Sequence, residues 1–215
     1  MSSAPLVFYA SQSGSPTLDE GEGGGNPFAS ALIELLQRPS LTLAELHSDI
    51  VSLTSAKSDG FQVPESPAVS AATPWSLKPV PAQARRVALV FVYADYQPAG
   101  VNSLPGAARD LLRVASALAN AGFVVDTAVD PTTTELREAL ESLAKQSTEA
   151  EAAVIYLTGH GLEHHGDVYL LPNDHSYHEL MEHVAQLAIH VPGLVEHLHA
   201  RSANLVFFGG CRTLA

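Results

Sequence analysis

The sequence is poor in cysteine and in basic residues, and each shortage excludes a class of protein. Cys211 is the single cysteine of the 215-residue chain. One cysteine cannot form an internal disulfide framework and is typical of a reducing compartment, so a cytoplasmic location is expected. Only 11 lysines and arginines stand against 23 aspartates and glutamates, a formal net charge of −12. Nucleic acid and anionic membrane surfaces are therefore not expected as partners, whereas a basic substrate would be attracted.

Long apolar runs are also missing. No stretch of about 20 apolar residues is present, so no membrane-spanning helix is predicted. The opening residues, MSSAPLVFYASQSG, contain no basic residue and too short an apolar run for a signal peptide. With 46% hydrophobic and 16% charged residues, the chain is expected to form one globular domain with a full core.

Short apolar runs predict the strands of a buried sheet. Runs that are continuous rather than alternating are typical of strands covered by helices on both faces. They occupy residues 6–10 (LVFYA), 87–93 (VALVFVY), 153–158 (AVIYLT) and 204–208 (NLVFF), with a weaker run at 122–126 (GFVVD).

Helical patterns alternate with these runs. Asn26 followed by a proline predicts the start of a helix, and Thr132 with Glu135 forms a capping box. Strands that alternate with helices favour an α/β fold with a mostly parallel sheet. The predicted helices cover residues 27–37, 43–53, 106–120, 132–146 and 191–200.

A proline-rich segment divides the chain. Residues 63–83 contain five prolines and little periodicity, which is typical of a linker or of an extended covering segment. Residues 1–65 offer one clear strand and two helices, too little for a core of their own. We therefore expect residues 1–65 and 84–215 to share one sheet as a single domain, with 66–83 connecting them.

Two reactive side chains follow predicted strands. His160 comes after the run at 153–158, in TGHG, and Cys211 after the run at 204–208, in GGCR. Catalytic groups of parallel α/β sheets gather at the carboxyl ends of the strands, and a nearby histidine can activate a thiol. Glycines beside both residues allow tight turns whose N–H groups can bind an oxyanion. The alternative interpretation is a small buried cysteine and a histidine in a turn.

The order of these motifs resembles the large subunit of caspase-like cysteine peptidases, the group of caspases, metacaspases and bacterial orthocaspases. VALVFVY is followed by SLPGAARDLLRVASALANAGFVVD, which carries the family's Leu-x-Gly-x-x-x-Asp pattern, then by YLTGHG and VFFGGCR. The resemblance implies a three-layer α/β/α sandwich. It also implies that Cys211 is the nucleophile, that His160 is the acid and base, and that the N–H groups of Gly161 and Cys211 hold the oxyanion.

In that family the small subunit follows the catalytic cysteine in the chain. Here the sequence that resembles the small subunit precedes the part that resembles the large subunit. LVFYASQSGSPTLDEGEGGGNPFASALIELL resembles the small-subunit strand, its substrate-binding loop and its first helix. The resemblance therefore implies a circularly permuted order, with a small-subunit-like part at 1–65, a new connection at 66–83 and a large-subunit-like part at 84–215. We expect such a chain to need no activating cut between subunits.

The resemblance also bears on substrate specificity. Caspases bind aspartate with two arginines and a glutamine, but the matching positions here lie near Leu104, Asp19 and Gly209. Metacaspases bind arginine or lysine with acidic groups, one of which matches Asp110. The other matches Gly209 and is absent, and Asp19 is a candidate to replace it. Cleavage of peptides or proteins after arginine or lysine is therefore expected. The alternative is that Asp110 only packs a helix and Asp19 is a solvated loop acid.

Other classes of function are less well supported. His178, Glu179 and His183 depart from the His-Glu-x-x-His zinc motif, because five residues turn a helix by about 140° beyond one full turn. No metal site or other cofactor is expected, although calcium dependence stays open because some metacaspases need it. VFYASQSGSPT is similar to a flavin phosphate loop, but Pro16 interrupts it.

Two further questions stay open at this stage. A catalytically silent caspase-like interaction module would carry the same two residues, so the sequence does not separate it from an enzyme. Caspases dimerise through the last small-subunit strand, and the matching region here runs into the proline-rich segment. Because proline removes donors from a sheet ladder, a monomer is expected.

Overall fold

A computed structural model describes residues 4–21, 23–67 and 75–214. The first part of the chain forms β1 (Leu6–Tyr9), α1 (Pro27–Gln37), β2 (Leu41–Thr42), α2 (Leu43–Lys57) and β3 (Ser76–Lys78). The middle part forms β4 (Arg86–Val92), α3 (Pro105–Asn120), β5 (Val124–Val129), α4 (Thr133–Ser147) and β6 (Ala152–Thr158). The last part forms β7 (Gly161–His164), β8 (Asp167–Leu170), α5 (Tyr177–Glu182), α6 (Val184–Leu187), β9 (Ile189–His190), a 3₁₀ helix (Pro192–His197), β10 (Ala203–Phe208) and β11 (Thr213–Leu214).

A five-stranded parallel sheet in the order β1-β10-β6-β4-β5 forms the centre of the molecule. Every residue of β4, β6 and β10 is buried, as continuous apolar runs require when both faces are covered. This arrangement confirms the predicted α/β fold with a mostly parallel sheet.

Helices cover both faces of this sheet. The first apolar cluster joins α1, α2 and α3 to one face, through side chains such as Phe28, Leu118 and Phe207. The second joins α4 and the 3₁₀ helix to the other face, through Leu140 and Phe208 among others. Alternate strand residues therefore enter different cores, which gives three layers with the sheet in the middle.

Most helix starts agree with the local sequence signals. The Asn26 side chain accepts from the N–H of Phe28 at the start of α1, and Thr132 caps α4 with a complete capping box. The predicted helix at 191–200 was wrong in type, since the segment contains a 3₁₀ helix that begins at Pro192 and ends at His197. The strand predicted at 122–126 begins at 124 because Gly122 has a φ of 85° and belongs to the turn that ends α3.

The two parts of the chain meet in the central sheet. β1 lies parallel to β10, and Leu6 pairs with Leu205. On the other side of β1, Tyr9 forms an antiparallel bridge with Glu65. Strand β1 therefore completes the sheet beside the strand that leads to Cys211.

The described end of the proline-rich segment is a covering strand. Leu77 in β3 is buried, and β3 pairs with β2. The Trp75 indole N–H donates to Glu151 at 2.9 Å, and the guanidinium of Arg86 lies 5.2 Å from the centre of the Trp75 ring. Residues 75–78 therefore pack against the body of the protein, while 68–74 lie outside the described residues.

A second, smaller sheet in the order β11-β7-β8-β9 follows the carboxyl ends of the main strands. The turn between β7 and β8 has φ values of 53° at His165 and 87° at Gly166, as a tight hairpin turn requires. This sheet was not predicted, because its strands are only two to four residues long. Among the helices in the described part of the chain, none is both long and apolar enough to cross a membrane.

Candidate active site

Neighbouring strands carry the two reactive side chains. β6 and β10 pair in parallel, with Leu157 opposite Phe208, so both strands end at the same edge of the sheet. His160 follows β6 by two residues, and Cys211 follows β10 by three. Both residues line the same two pockets at this edge. The structure therefore brings together the two residues that the sequence singled out.

The loop before α3 and a buried tyrosine hold the His160 ring. Its Nε2 atom lies 2.7 Å from the carbonyl oxygen of Asn102. Because a carbonyl only accepts, Nε2 carries the proton and Nδ1 is the basic nitrogen of the neutral ring. The Tyr96 hydroxyl accepts from the backbone N–H of His160 at 2.9 Å, and the two rings meet edge to face at 4.4 Å. The imidazole thus has a fixed tautomer and a fixed position.

The loop after β1 contacts the Cys211 thiol. The Thr17 N–H donates to Sγ at 3.2 Å, and the Thr17 hydroxyl lies 3.3 Å from the same sulfur. Within the described residues, the hydrogen bonds of the thiol are all with Thr17 and none is with His160. Contacts between catalytic groups are often long before substrate binds.

Glycines allow the two strand ends to approach closely. A Cβ atom at Gly161 would lie 2.5 Å from the Phe208 ring and 2.6 Å from the Cys211 carbonyl oxygen. A Cβ at Gly210 would lie 2.8 Å from the Gly159 carbonyl oxygen. Any larger residue would push the two loops apart. The oxyanion role of the Gly161 and Cys211 N–H groups stays a prediction.

Arg212 ties the loop that carries Cys211 to three other segments. Its side chain is 6% exposed, which is unusual for a charged residue and requires partners. The guanidinium donates to Glu163 of β7 at 3.1 Å and to Glu65 at 2.5 Å. It also lies 4.5 Å from the centre of the Tyr9 ring on β1. These contacts hold the backbone on the carboxyl side of Cys211.

Two pockets meet at His160 and Cys211, the only described residues that line both. The polar pocket has an empty volume of about 430 Å³, counting its open mouth, and the apolar pocket one of about 660 Å³. The polar pocket is lined by Thr17, Leu18, Asp19, Asn26, Leu104, Thr158, Gly159, His160, Gly209 and Cys211. The apolar pocket is lined by Val101, Asn102, His160, Gly161, Leu162, Leu171, Tyr177, Cys211 and Thr213.

A scan against protein-family models matches residues 85–213 to the caspase domain of a peptidase family. The chain belongs to the caspase domain family. The matched range covers β4 to Thr213 and contains both His160 and Cys211. The parallel sheet flanked by helices is consistent with a caspase-like fold, and membership of this family indicates a cysteine peptidase-like protein. A search of curated proteins found no match.

Asp19 lies outside the range that matches the caspase domain, but it lines the polar pocket and binds the start of α3. Its two carboxylate oxygens accept from the N–H groups of Gly106 at 2.8 Å and Ala107 at 3.0 Å. Helix α3 has no side-chain cap of its own, because its N-cap residue is Leu104. A carboxylate is favourable at a helix N-terminus. Helix α3 and the loop that follows β1 therefore stabilise one another. The sequence did not predict this contact, because the two residues are far apart along the chain.

Asp110 is fully buried behind the wall of the polar pocket and is not among its lining residues. It accepts from the Asn26 N–H at 2.9 Å and from the Arg113 guanidinium at 2.7 Å. Burial raises the pKa of the Asp110 carboxyl to about 6, against the lowering effects of Asn26 and Arg113. A Cβ at Gly25 would lie 1.9 Å from Asp110 Oδ1, so only glycine fits there.

Asn26 is a site residue that the sequence analysis assigned only to a helix cap. Its side chain accepts from Phe28 N–H at 2.8 Å and from the Gln62 amide at 3.0 Å, and donates to the Gly209 carbonyl at 3.0 Å. It thereby joins α1 to the strand end before Cys211. A Cβ at Gly209 would lie 2.8 Å from Thr158 Oγ1, so this position is restricted to glycine. The local sequence signal of a helix cap does not indicate the two distant partners of Asn26, Gln62 and Gly209.

Metal ligands do not converge in the described part of the chain. Within residues 4–21, 23–67 and 75–214, no group of three or more histidine, cysteine, aspartate or glutamate side chains is placed to hold an ion. His178 pairs with Glu182 on the exposed face of α5, at 3.6 Å.

Proposed function

We propose that this protein is a cysteine endopeptidase that cleaves peptides after arginine or lysine, with Cys211 as nucleophile and His160 as acid and base. The observation that carries the proposal is the position of these two side chains. They follow neighbouring strands of a caspase domain and lie where a polar pocket and an apolar pocket meet. A surface cysteine without function would need neither a histidine of fixed tautomer nor two adjoining cavities.

In this proposal the reaction is acyl transfer to sulfur followed by hydrolysis. The thiol proton passes to Nδ1 of His160, and Sγ attacks the carbonyl carbon of the peptide. The N–H groups of Gly161 and Cys211 bind the oxyanion that forms. His160 then returns the proton to the leaving amine as the C–N bond breaks. His160 next takes a proton from water, whose oxygen attacks the carbonyl carbon of the thioester. The C–S bond then breaks, the acid is released, and His160 returns the proton to Sγ.

Charge in the polar pocket supports a basic residue before the scissile bond. Asp19 is the one acid among the described lining residues, which include no lysine or arginine. A carboxylate has about four acceptor sites, and the α3 amides use two of those of Asp19. The remaining sites suit a guanidinium, which binds carboxylates bidentately. Asp110 would act from behind, by holding Asn26 in the pocket wall.

We further propose that the chain is circularly permuted relative to other caspase domains. The family match begins at residue 85. The preceding part supplies β1, which lies beside β10, and Asp19, Asn26 and Thr17, which line the polar pocket. In this proposal both parts form one catalytic unit without an internal cut. Intact-mass measurement of the active protein tests this, since an obligatory cleavage would contradict it.

The decisive experiment compares wild type and Cys211→Ala on fluorogenic peptides that end in arginine, lysine or aspartate. Arginine and lysine peptides should be cleaved at least about tenfold faster than aspartate peptides, because Asp19 repels an acid. Cys211→Ala should lower kcat at least about 10³-fold. Each assay is run with and without calcium, and circular dichroism checks that the variant is folded.

Two results would contradict the proposal. Equal cleavage by Cys211→Ala would exclude the thiol as nucleophile. No cleavage by a folded protein whose Cys211 also resists alkylation would instead support a silent interaction module.

A further inference from the structure

The apolar pocket differs in chemistry from the polar pocket beside it. None of its described lining residues is a lysine, arginine, aspartate or glutamate. Leu162 and Leu171 are 5% and 3% exposed, and Val101 is half-buried. The pocket therefore places leucine and valine side chains, with no charged partner, beside His160 and Cys211, while Asn102 and Thr213 add polar atoms to its lining.

The position of the pocket fixes which part of a peptide it faces. Both pockets include His160 and Cys211 in their described lining, and this one adds Asn102, whose carbonyl oxygen holds the imidazole. The amine that leaves during acyl transfer must take its proton from His160, so the residues after the scissile bond lie against the histidine's side of the site. The acyl part of the substrate stays on Cys211, where Asp19 and Gly209 form the polar pocket.

We propose that the apolar pocket binds the side chain of the residue that follows the scissile bond, and that it selects a large apolar residue there. The inference rests on the proposed peptidase function and adds to it a preference on the leaving side. Apolar surface removed from water favours such a residue, whereas an acidic residue would lose its hydration without a charged partner in the pocket.

Tyr177 contributes the rim of this pocket. Its side chain is 45% exposed, and it is one of the few large hydrophobic residues in the described part of the chain with that much exposure. Its backbone is fixed, because its N–H donates to Ala99 at 3.0 Å and Ser176 with Glu179 forms the capping box of α5. An aromatic ring held at a pocket mouth can cover an apolar side chain that enters the pocket.

The test uses internally quenched peptides that are identical except for the residue after arginine. Leucine and phenylalanine at this position should raise kcat/KM about tenfold over glycine, and aspartate should lie below glycine. Tyr177→Ala should reduce the leucine-to-glycine ratio about fivefold. Val101→Lys should raise the aspartate-to-leucine ratio about tenfold, a gain that damage to the fold cannot produce.

Phe61→Ala is the matched control, since Phe61 is an aromatic residue 55% exposed that lines neither pocket. It should leave both ratios unchanged. Fluorogenic arginine peptides, whose leaving group is constant, report the basal peptidase reaction separately. If these are cleaved but the quenched peptides show no preference, or if Tyr177→Ala and Val101→Lys leave the ratios unchanged, the inference is overturned. No cleavage in either assay overturns the proposed function and the inference with it.

Discussion

The polar and apolar pockets share two residues but are built by different forces. The polar pocket is held by hydrogen bonds from the first part of the chain to α3 and β10, through Asp19 and Asn26. The apolar pocket has a floor of packed side chains, since Leu162 and Leu171 belong to a cluster with Leu180. The polar pocket therefore depends on exact donors, acceptors and charges, while the apolar pocket depends on volume.

This difference separates the two halves of substrate recognition. A change in protonation or the loss of one amide acts on the polar pocket, which in our proposal binds the residue before the scissile bond. The same change at Asp19 or Asn26 should leave the apolar pocket intact, because neither residue is part of its lining. Substitutions confined to one pocket can therefore test whether the two pockets are stabilised independently.

The largest effect is expected from Asn26→Ala. The change removes a helix cap worth about 1 kcal/mol, and it leaves the buried Gln62 amide and Gly209 carbonyl without this partner, at about 1–3 kcal/mol each. The free energy of unfolding should fall by about 3 kcal/mol in urea titrations. Asn102→Ala, in the apolar pocket, is the matched control and should change stability by less than about 0.5 kcal/mol. A loss below about 1 kcal/mol for Asn26→Ala would show that these bonds do not hold the polar pocket.

A smaller effect is expected from Asp19→Asn, which keeps the shape of the side chain but removes its charge and one of the two oxygens that accept from α3. The kcat/KM ratio of arginine over citrulline peptides should fall about tenfold, or about 1.4 kcal/mol. The leucine-to-glycine ratio after the scissile bond should stay the same. Glu138→Gln changes the net charge equally on the exposed face of α4 and should alter neither ratio. An unchanged arginine ratio in Asp19→Asn would remove Asp19 from the proposed substrate site.

The smallest effect is the pH dependence that Asp110 contributes. Its pKa is about 6 in the folded protein against an ordinary value of 3.8, because burial disfavours the charged form. Between pH 7 and 5 the folded carboxyl takes up a proton while the unfolded one stays ionised, so folding gains stability as pH falls. The stability of wild type relative to Asp110→Asn should rise by about 1 kcal/mol over this range.

Urea titrations at pH 7 and pH 5 measure this difference. Arg113 and Asp19 are the charged groups that act on Asp110, and both remain in the variant. Glu138→Gln again serves as the control, with a constant difference from wild type. A wild-type advantage over Asp110→Asn that does not change with pH would mean that the buried carboxyl stays ionised throughout.

The sequence predicted the framework of the site because that framework is local. Apolar runs predicted β6 and β10. The two reactive residues, His160 and Cys211, could then be identified because they come just after these strands in the sequence. The helix starts at Asn26 and Thr132 could also be predicted, because a helix cap depends on neighbours within a few residues. The family motifs agreed with this pattern and with the fold that the structure shows.

The pocket walls could not be predicted, because their polar contacts join residues that are distant along the chain. Asp19 lies on the amides of Gly106 and Ala107, and Asn26 reaches Gly209. The sequence around an acidic residue in a loop does not indicate which distant residues it binds. The short strands of the second sheet were missed for a related reason, since two to four residues give no measurable alternation.

The pairing of β1 with β10 has a consequence for synthesis of the protein. Leu6 finds its neighbour Leu205 only after 199 further residues have left the ribosome, which takes about 10–40 s at ordinary elongation rates. Contacts of such high contact order form slowly, and until then β1 has an unpaired edge and an uncovered Phe8. A nascent chain would thus depend on a chaperone or on transient local structure to protect its first strand. Completion of the sheet and placement of the thiol would occur as one late event.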